Sequence, residues 1–209
     1  MEDTGIAGTF QLGARRRLSA AVGSVMMEGD MTTRDELARK PVEQRLERMA
    51  HTAEGMDTAI RGRSEAALAR RPGPTSWAAV EIICHLRDTE ELFMLRLEMI
   101  AAMDEPVLAA AGMGARALRL GPDGQPDAPN RWAEDRQYLR NDAVAALGTF
   151  RRRREETLAH LRALSPDQWQ RGGLHPRRGR MIVGDFVTEM AWHDDNHLDQ
   201  LRLALEGNV

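Results

Sequence analysis

His193 and His197 stand four residues apart in the run Met181-Ile-Val-Gly-Asp-Phe-Val-Thr-Glu-Met-Ala-Trp-His-Asp-Asp-Asn-His-Leu-Asp-Gln-Leu-Arg202. On a helix that spacing projects both rings from one face, one turn apart. Ile182, Phe186, Met190, Leu201 and Ala204 recur there at three- and four-residue steps, a stripe that faces a core. The two histidines continue the stripe where a bundle helix would bury leucine. Imidazoles at such positions are costly unless something binds their nitrogens, and a divalent cation is the simplest partner. His85, within Glu81-Ile-Ile-Cys-His-Leu-Arg-Asp-Thr-Glu90, borders Ile82 and Leu86 on a second apolar face and is the candidate third ligand. One ion satisfies all three rings, whereas three buried histidines would otherwise need three separate partners. Imidazole suits Zn, Ni, Fe and Cu. Three protein ligands with an open position form the pattern of a catalytic site.

The pair is not the zincin motif, because Asp194 stands where that motif carries a glutamate base. Asp195, Asp199 and Glu189 are nearer helical neighbours of the histidines, and any could orient a ring by accepting its other N–H. For Asp194 and Asp195 the competing reading is surface solubility, and Asp88, one turn beyond His85, has similar standing. Cys84 adjoins His85 but points about 100° away, so it reads as a buried inert thiol. His51, His160 and His175 read as surface, capping or structural residues. Arg96 lies three turns from His85 on about the same face, and Arg177, Arg178 and Arg180 precede the last helix. Each could hold an anionic substrate or thiol, with plain exposure as the alternative. The run Arg151-Arg-Arg-Arg-Glu-Glu156 reads as a solvated helical face with Arg–Glu pairs.

These residues must be positioned by helices. Residues 1–35 read as a disordered or mis-annotated N-terminal extension, and residues 36–209 as one helical domain. The first long helix starts near Pro41 and carries Val42, Leu46, Met49, Ala53, Met56 and Ile60 inward toward Ala67; Arg71-Pro-Gly-Pro-Thr-Ser76 ends it. The second runs from Trp77 to about Met103, with Thr75 or Ser76 as its cap and no capping box. Asp104 to Asn130 holds four prolines and four glycines without periodicity, far beyond the usual bundle connection of about 2–8 residues. Such a length lets the chain return and start a helix parallel to the previous one, and it could serve as a lid. The third helix is expected over Trp132 to about Leu164, with Tyr138, Val144, Leu147, Phe150, Leu158 and Leu161 inward. A short turn reaches Trp169, Arg171 to Arg180 form a loop, and no strand alternates convincingly. The sum is an all-α four-helix bundle with a long crossover between helices 2 and 3.

Bulk numbers narrow the function classes. Lys+Arg number 29 against 32 Asp+Glu, for a net charge of -3, which argues against a nucleic-acid partner. One cysteine excludes an intrachain disulfide and a thiolate cluster, with a cytoplasmic setting as the default. No apolar run approaches the roughly 20 residues that span a bilayer.

Trp77 followed by Glu81-Ile-Ile-Cys-His-Leu-Arg-Asp-Thr-Glu90, then Trp132-Ala-Glu-Asp-Arg-Gln-Tyr138, then Trp192-His-Asp-Asp-Asn-His-Leu-Asp-Gln-Leu-Arg202, resembles the DinB/YfiT-like family over about residues 38 to 206. The resemblance implies a four-helix bundle, often dimeric, in which His85, His193 and His197 bind one divalent metal. Zn, Ni or Fe are the candidates. It further implies a small-molecule substrate, for some members a low-molecular-weight thiol such as mycothiol or bacillithiol, and for others a role in stress responses. Three functions compete: a metal-dependent thiol transferase or hydrolase, a non-catalytic metal-stabilised bundle, and a plain helical scaffold. No residue is assigned a catalytic or thiol-binding role.

Overall fold

The structure is a computed structural model that describes residues 33–108, 128–175 and 178–208. The extension expected over residues 1–35 lies almost wholly outside the described residues. So does the middle of the 104–130 connection, and with it the lid. The described chain begins with α1 (Arg34–Arg39), capped by Thr33, whose hydroxyl accepts from Glu36 N–H while Glu36 accepts from Thr33 N–H.

Four long helices carry the fold: α2 (Val42–Ile60), α4 (Ala79–Ala102), α6 (Ala143–Arg162) and α8 (Val183–Glu206). None is long and apolar enough to cross a membrane. Helix α2 stops before the expected Ala67 because Gly62 takes φ +76°, a left-handed conformation that breaks the ladder. The short α3 (Glu65–Leu68) follows. Helix α4 is capped neither by Thr75 nor by Ser76. Its N-cap is Ala78, whose N–H donates to Glu81 Oε2 at 2.9 Å; Arg71 clamps the same carboxylate at 2.7 and 2.5 Å.

The expected third helix is broken. The segment α5 (Ala128–Asp135) stops two residues before Gln137, which takes φ +49°, and a 3₁₀ turn over Tyr138–Arg140 intervenes before α6. Asp142 starts α6 by accepting from Ala145 N–H. Val144, expected inward, is 68% exposed, while Tyr138, Leu147, Phe150, Leu158 and Leu161 are buried. After α7 (Pro166–Gln170), the expected loop is a hairpin of β1 (Gly172–His175) and β2 (Gly179–Ile182), antiparallel with Gly172 opposite Ile182. Leu174 exchanges backbone bonds with Pro106 and Leu108, pinning the start of the crossover to the hairpin. Gly173 is required there, since a Cβ would stand 2.7 Å from the Pro106 carbonyl.

Helix α4 packs on α6 and α8, and α2 packs on α8 and α6. Shared core residues give the directions. The late part of α2 (Met56, Ile60) and of α8 (Leu198, Leu201) meets the early part of α4 (Ile82, Leu86) and of α6 (Leu147, Phe150) in one cluster. The opposite ends meet in a second, through Leu46, Met49, Phe93, Leu97, Leu158, Leu161, Phe186 and Met190. Helices α4 and α6 are therefore parallel neighbours, the arrangement that requires the long connection between them.

Candidate metal centre

The three expected residues meet. His85 on α4 and His193 and His197 on α8 place candidate ligand atoms within 4.8 Å of one another, and it is the one such group of three among the described residues. His85 Nε2 is 3.0 Å from His193 Nε2, and the ring centroids are 4.4 to 5.1 Å apart. A tetrahedral zinc site with Zn–N near 2.0–2.1 Å has donor–donor edges of about 3.3 Å, so the cluster is of metal-binding size. His51 bonds the Glu47 carbonyl on the surface of α2, His160 is half-buried on α6 and His175 closes β1.

Burial and the neighbouring rings lower the pKa of His85 well below its usual value. Burial and His193 take His197 down to about 3. Both are thus neutral lone-pair donors at neutral pH, the form a metal requires. The tautomer of His197 is set. Gln200 Oε1, an acceptor, lies 2.7 Å from Nδ1, so Nδ1 carries the proton and Nε2 is free to ligate. The Nε2 atoms of His85 and His193 face each other, so the ring edges turned toward the centre carry Nε2, while each Nδ1 is buried on the far edge without a hydrogen-bond partner. These donors fit a borderline divalent cation such as Zn, Ni or Fe.

Aromatic rings frame the cluster. Trp77 lies 5.0 Å from the His85 ring and stacks on His197 at 6.4 Å, and Phe93 meets His193 edge-on at 6.1 Å. The His193 side chain keeps 20% of its surface exposed, which leaves an approach from solvent. Two surface cavities lie elsewhere, one of about 210 Å³ beside Asp104, Arg171 and Arg180 and one of about 590 Å³ beside Leu37, Arg48 and Asp195. Cys84 is buried and burial pushes its thiol up to about 12, so it stays an inert thiol.

Behind the histidines sits a buried ionic layer that the sequence reading missed. Arg154, expected on a solvated face, is 3% exposed. It donates to both oxygens of Glu90 at 3.0 and 2.6 Å, to Asp194 at 2.5 Å and to the Met49 carbonyl at 2.9 Å. Thr52 adds a hydrogen bond to Asp194 at 2.8 Å. Burial raises the pKa of Asp194, but Arg154 outweighs it and holds the carboxyl down at about 2. Its second oxygen lies 3.7 Å from His193 Nδ1, just beyond a direct hydrogen bond. Asp195, the alternative, turns to Arg48 at 2.5 Å, and Asp199 to Arg202. Arg178 pairs with Glu189 and Arg180 with Glu105, while Arg177 lies outside the described residues.

Comparison with known proteins places this geometry in a family. Two proteins of Oceanobacillus iheyensis, each named "putative metal-dependent hydrolase", align with this chain. The first is 23% identical over 135 residues, 64% of this chain and 67% of its own length. The second is 25% identical over 122 residues, 58% and 61% respectively. The chain thus spans about two thirds of those relatives. The structure of YfiT from Bacillus subtilis, described as "a probable metal-dependent hydrolase with an unusual four-helix bundle topology", matches with a TM-score of 0.68 at 15% identity, covering 87% of this chain and 97% of that one. At that identity the likeness is one of fold. Residues 43–201 match the profile of the DinB superfamily. Because that span enters in the first turn of α2, crosses all four long helices and takes in His85, His193 and His197, the chain belongs to the DinB superfamily.

Proposed function

We propose that the chain is a metal-dependent hydrolase in which His85, His193 and His197 hold one divalent cation. The observation that supports this most directly is the convergence of three imidazoles, from two antiparallel helices, with candidate ligand atoms all within 4.8 Å of one another. A cation held by three neutral ligands keeps its charge, and supplies Lewis acidity that brings the pKa of a coordinated nucleophile toward neutrality. The residues of the chain do the rest. Gln200 fixes the His197 tautomer, Trp77 and Phe93 hold the rings and exclude water from their flanks, and Asp194 stands behind His193. The names of the relatives point to hydrolysis. Thiol transfer, expected from the resemblance, would use the same centre with a thiol in place of water.

The test is elemental analysis of protein purified without added metal, beside an ester and amide hydrolysis screen. About one equivalent of divalent metal is expected, lost in His85→Ala, with turnover abolished by chelation and restored by metal. Full metal content in His85→Ala would remove the centre. Turnover only with an added low-molecular-weight thiol would move the assignment to transfer.

A further inference from the structure

His85, Thr89 and Phe93 follow at four-residue steps on α4 and so share one face. Both outer members meet His193 on α8. The two Nε2 atoms are 3.0 Å apart, and the Phe93 ring stands edge-on to His193 at 6.1 Å. Thr89, between them and 9% exposed, therefore faces the α4–α8 seam at the level of the histidines. Its hydroxyl oxygen lies 3.5 Å from His85 Nε2, the nitrogen on the ring edge turned toward the centre. Among the described residues it is the one side-chain oxygen that reaches that edge. Arg96, expected near the same face, is half-buried and borders neither of the two cavities.

The contact is not the one a threonine makes to support its own helix. Thr149, Thr157 and Thr188 donate to the carbonyl four residues back, at 3.1, 3.1 and 3.0 Å, the usual local bond of a helical hydroxyl. Buried Thr52 instead donates to Asp194 at 2.8 Å. The Thr89 hydroxyl forgoes both solutions. It turns to an imidazole at the long limit of a hydrogen bond, which leaves a buried hydroxyl poorly satisfied. Once the Nε2 lone pair is given to a cation, the ring offers this hydroxyl no acceptor, since Nδ1 sits on the far edge. Its proton is then free for a ligand from solution. A centre with three protein ligands keeps one position open for such a ligand, and His193, whose side chain is 20% exposed, gives it a way in.

We infer that the Thr89 hydroxyl donates a hydrogen bond to the atom that fills the open position of the metal centre, and so positions the exogenous ligand there. The inference rests on the proposed metal site. The test loads the full chain with cobalt(II) and titrates it with azide, followed in the visible spectrum. Thr89→Val, which keeps the shape and removes the donor, is expected to bind azide about tenfold more weakly. Its cobalt affinity, read by competition against a chelator, should stay within about threefold of the parent, the hydrogen bond being to the ligand and not to the ring. Thr89→Ser, which keeps the donor, should match the parent on both counts. Thr89→Ala repeats the removal if the valine variant fails to fold. Equal azide affinity in parent and Thr89→Val would overturn the inference. So would an equal loss in Thr89→Ser, which would trace the effect to the methyl group, or a loss of cobalt affinity without a change for azide, which would make the hydroxyl a prop for His85. A parent that takes up cobalt without responding to azide has no open position for the hydroxyl to serve. A parent that takes up no cobalt fails the metal site itself, an outcome distinct from all the others.

Discussion

His193 and Asp194 are adjacent in the chain yet serve different faces of α8. The ring turns toward α4 to meet His85, while the carboxylate turns inward to Arg154 and Thr52. The one link between them is the 3.7 Å approach of Asp194 to His193 Nδ1. A carboxylate in that position raises the basicity of a ligating ring and steadies its orientation. Asp194→Asn is expected to lower metal affinity about 10–100-fold, read by competition against a chelator of known affinity. Unchanged affinity would mean that the approach does not act on the ring. The three histidines were legible because histidine on an apolar stripe is rare enough to stand out. Arg154 was hidden by its neighbours, since a run of four arginines suggests solvent. Its own spacing said otherwise: Phe150, Arg154, Leu158 and Leu161 follow one stripe, as do Met190, Asp194, Leu198 and Leu201. A charge centred on such a stripe is a signal of a buried pair, whatever stands beside it.

At the scale of elements, the break between α5 and α6 is held against α4 by the Asp88 carboxylate and by Arg87, which donates to Asn141 Oδ1 at 3.1 Å. Asp88 accepts from Arg87 at 2.7 Å and from the buried Tyr138 hydroxyl at 2.8 Å, and pairs with Arg136 at 2.7 Å. Burial pushes its carboxyl up, but Arg87, Tyr138 and Arg136 outweigh that and hold it below the usual carboxylate range. A lowered native pKa means that the unfolded chain binds the proton more readily. The stabilisation is complete above the unfolded pKa of about 3.9 and is lost as pH falls through the lowered native value. Urea unfolding from pH 7 to pH 3 should therefore show a steeper acid loss in the parent than in Asp88→Asn, which starts lower and has a flatter slope. Equal slopes would count against the tether. The four long helices were readable from periodicity. The break was not, because Trp132 to Tyr138 continues a helical pattern and Gln137 gives no local warning of its positive φ. The hairpin was hidden too: four-residue strands with two glycines carry little alternation, and their pairing depends on Pro106–Leu108 from the far end of α4.

In the whole molecule the apolar core is two clusters rather than one, and a polar layer occupies the level between them. Along α2, Thr52 falls between Met49 and Met56; along α4, Glu90 between Leu86 and Phe93; along α6, Arg154 between Phe150 and Leu158; along α8, Asp194 between Met190 and Leu198. Every long helix contributes one member. One cation and two carboxylates leave the layer with a net charge of -1, carried next to the three imidazoles. A buried ionic layer is a poor stabiliser, because apolar residues of similar volume usually do as well or better. Its placement beside the histidines supplies the missing reason: a bound cation would compensate the residual negative charge. Two variants separate these roles. Arg154→Met alone strands two buried carboxylates and should cost about 3–5 kcal/mol. The triple change Glu90→Leu, Arg154→Met, Asp194→Leu should be neutral or stabilising by about 1–4 kcal/mol in urea unfolding. The same triple variant, with His85, His193 and His197 intact, should bind metal more weakly than the parent, since the charge that attracts the cation has gone. If the triple variant lost stability as severely as Arg154→Met, the layer would be a requirement of bundle packing. If it kept the affinity of the parent, the histidines alone would account for binding.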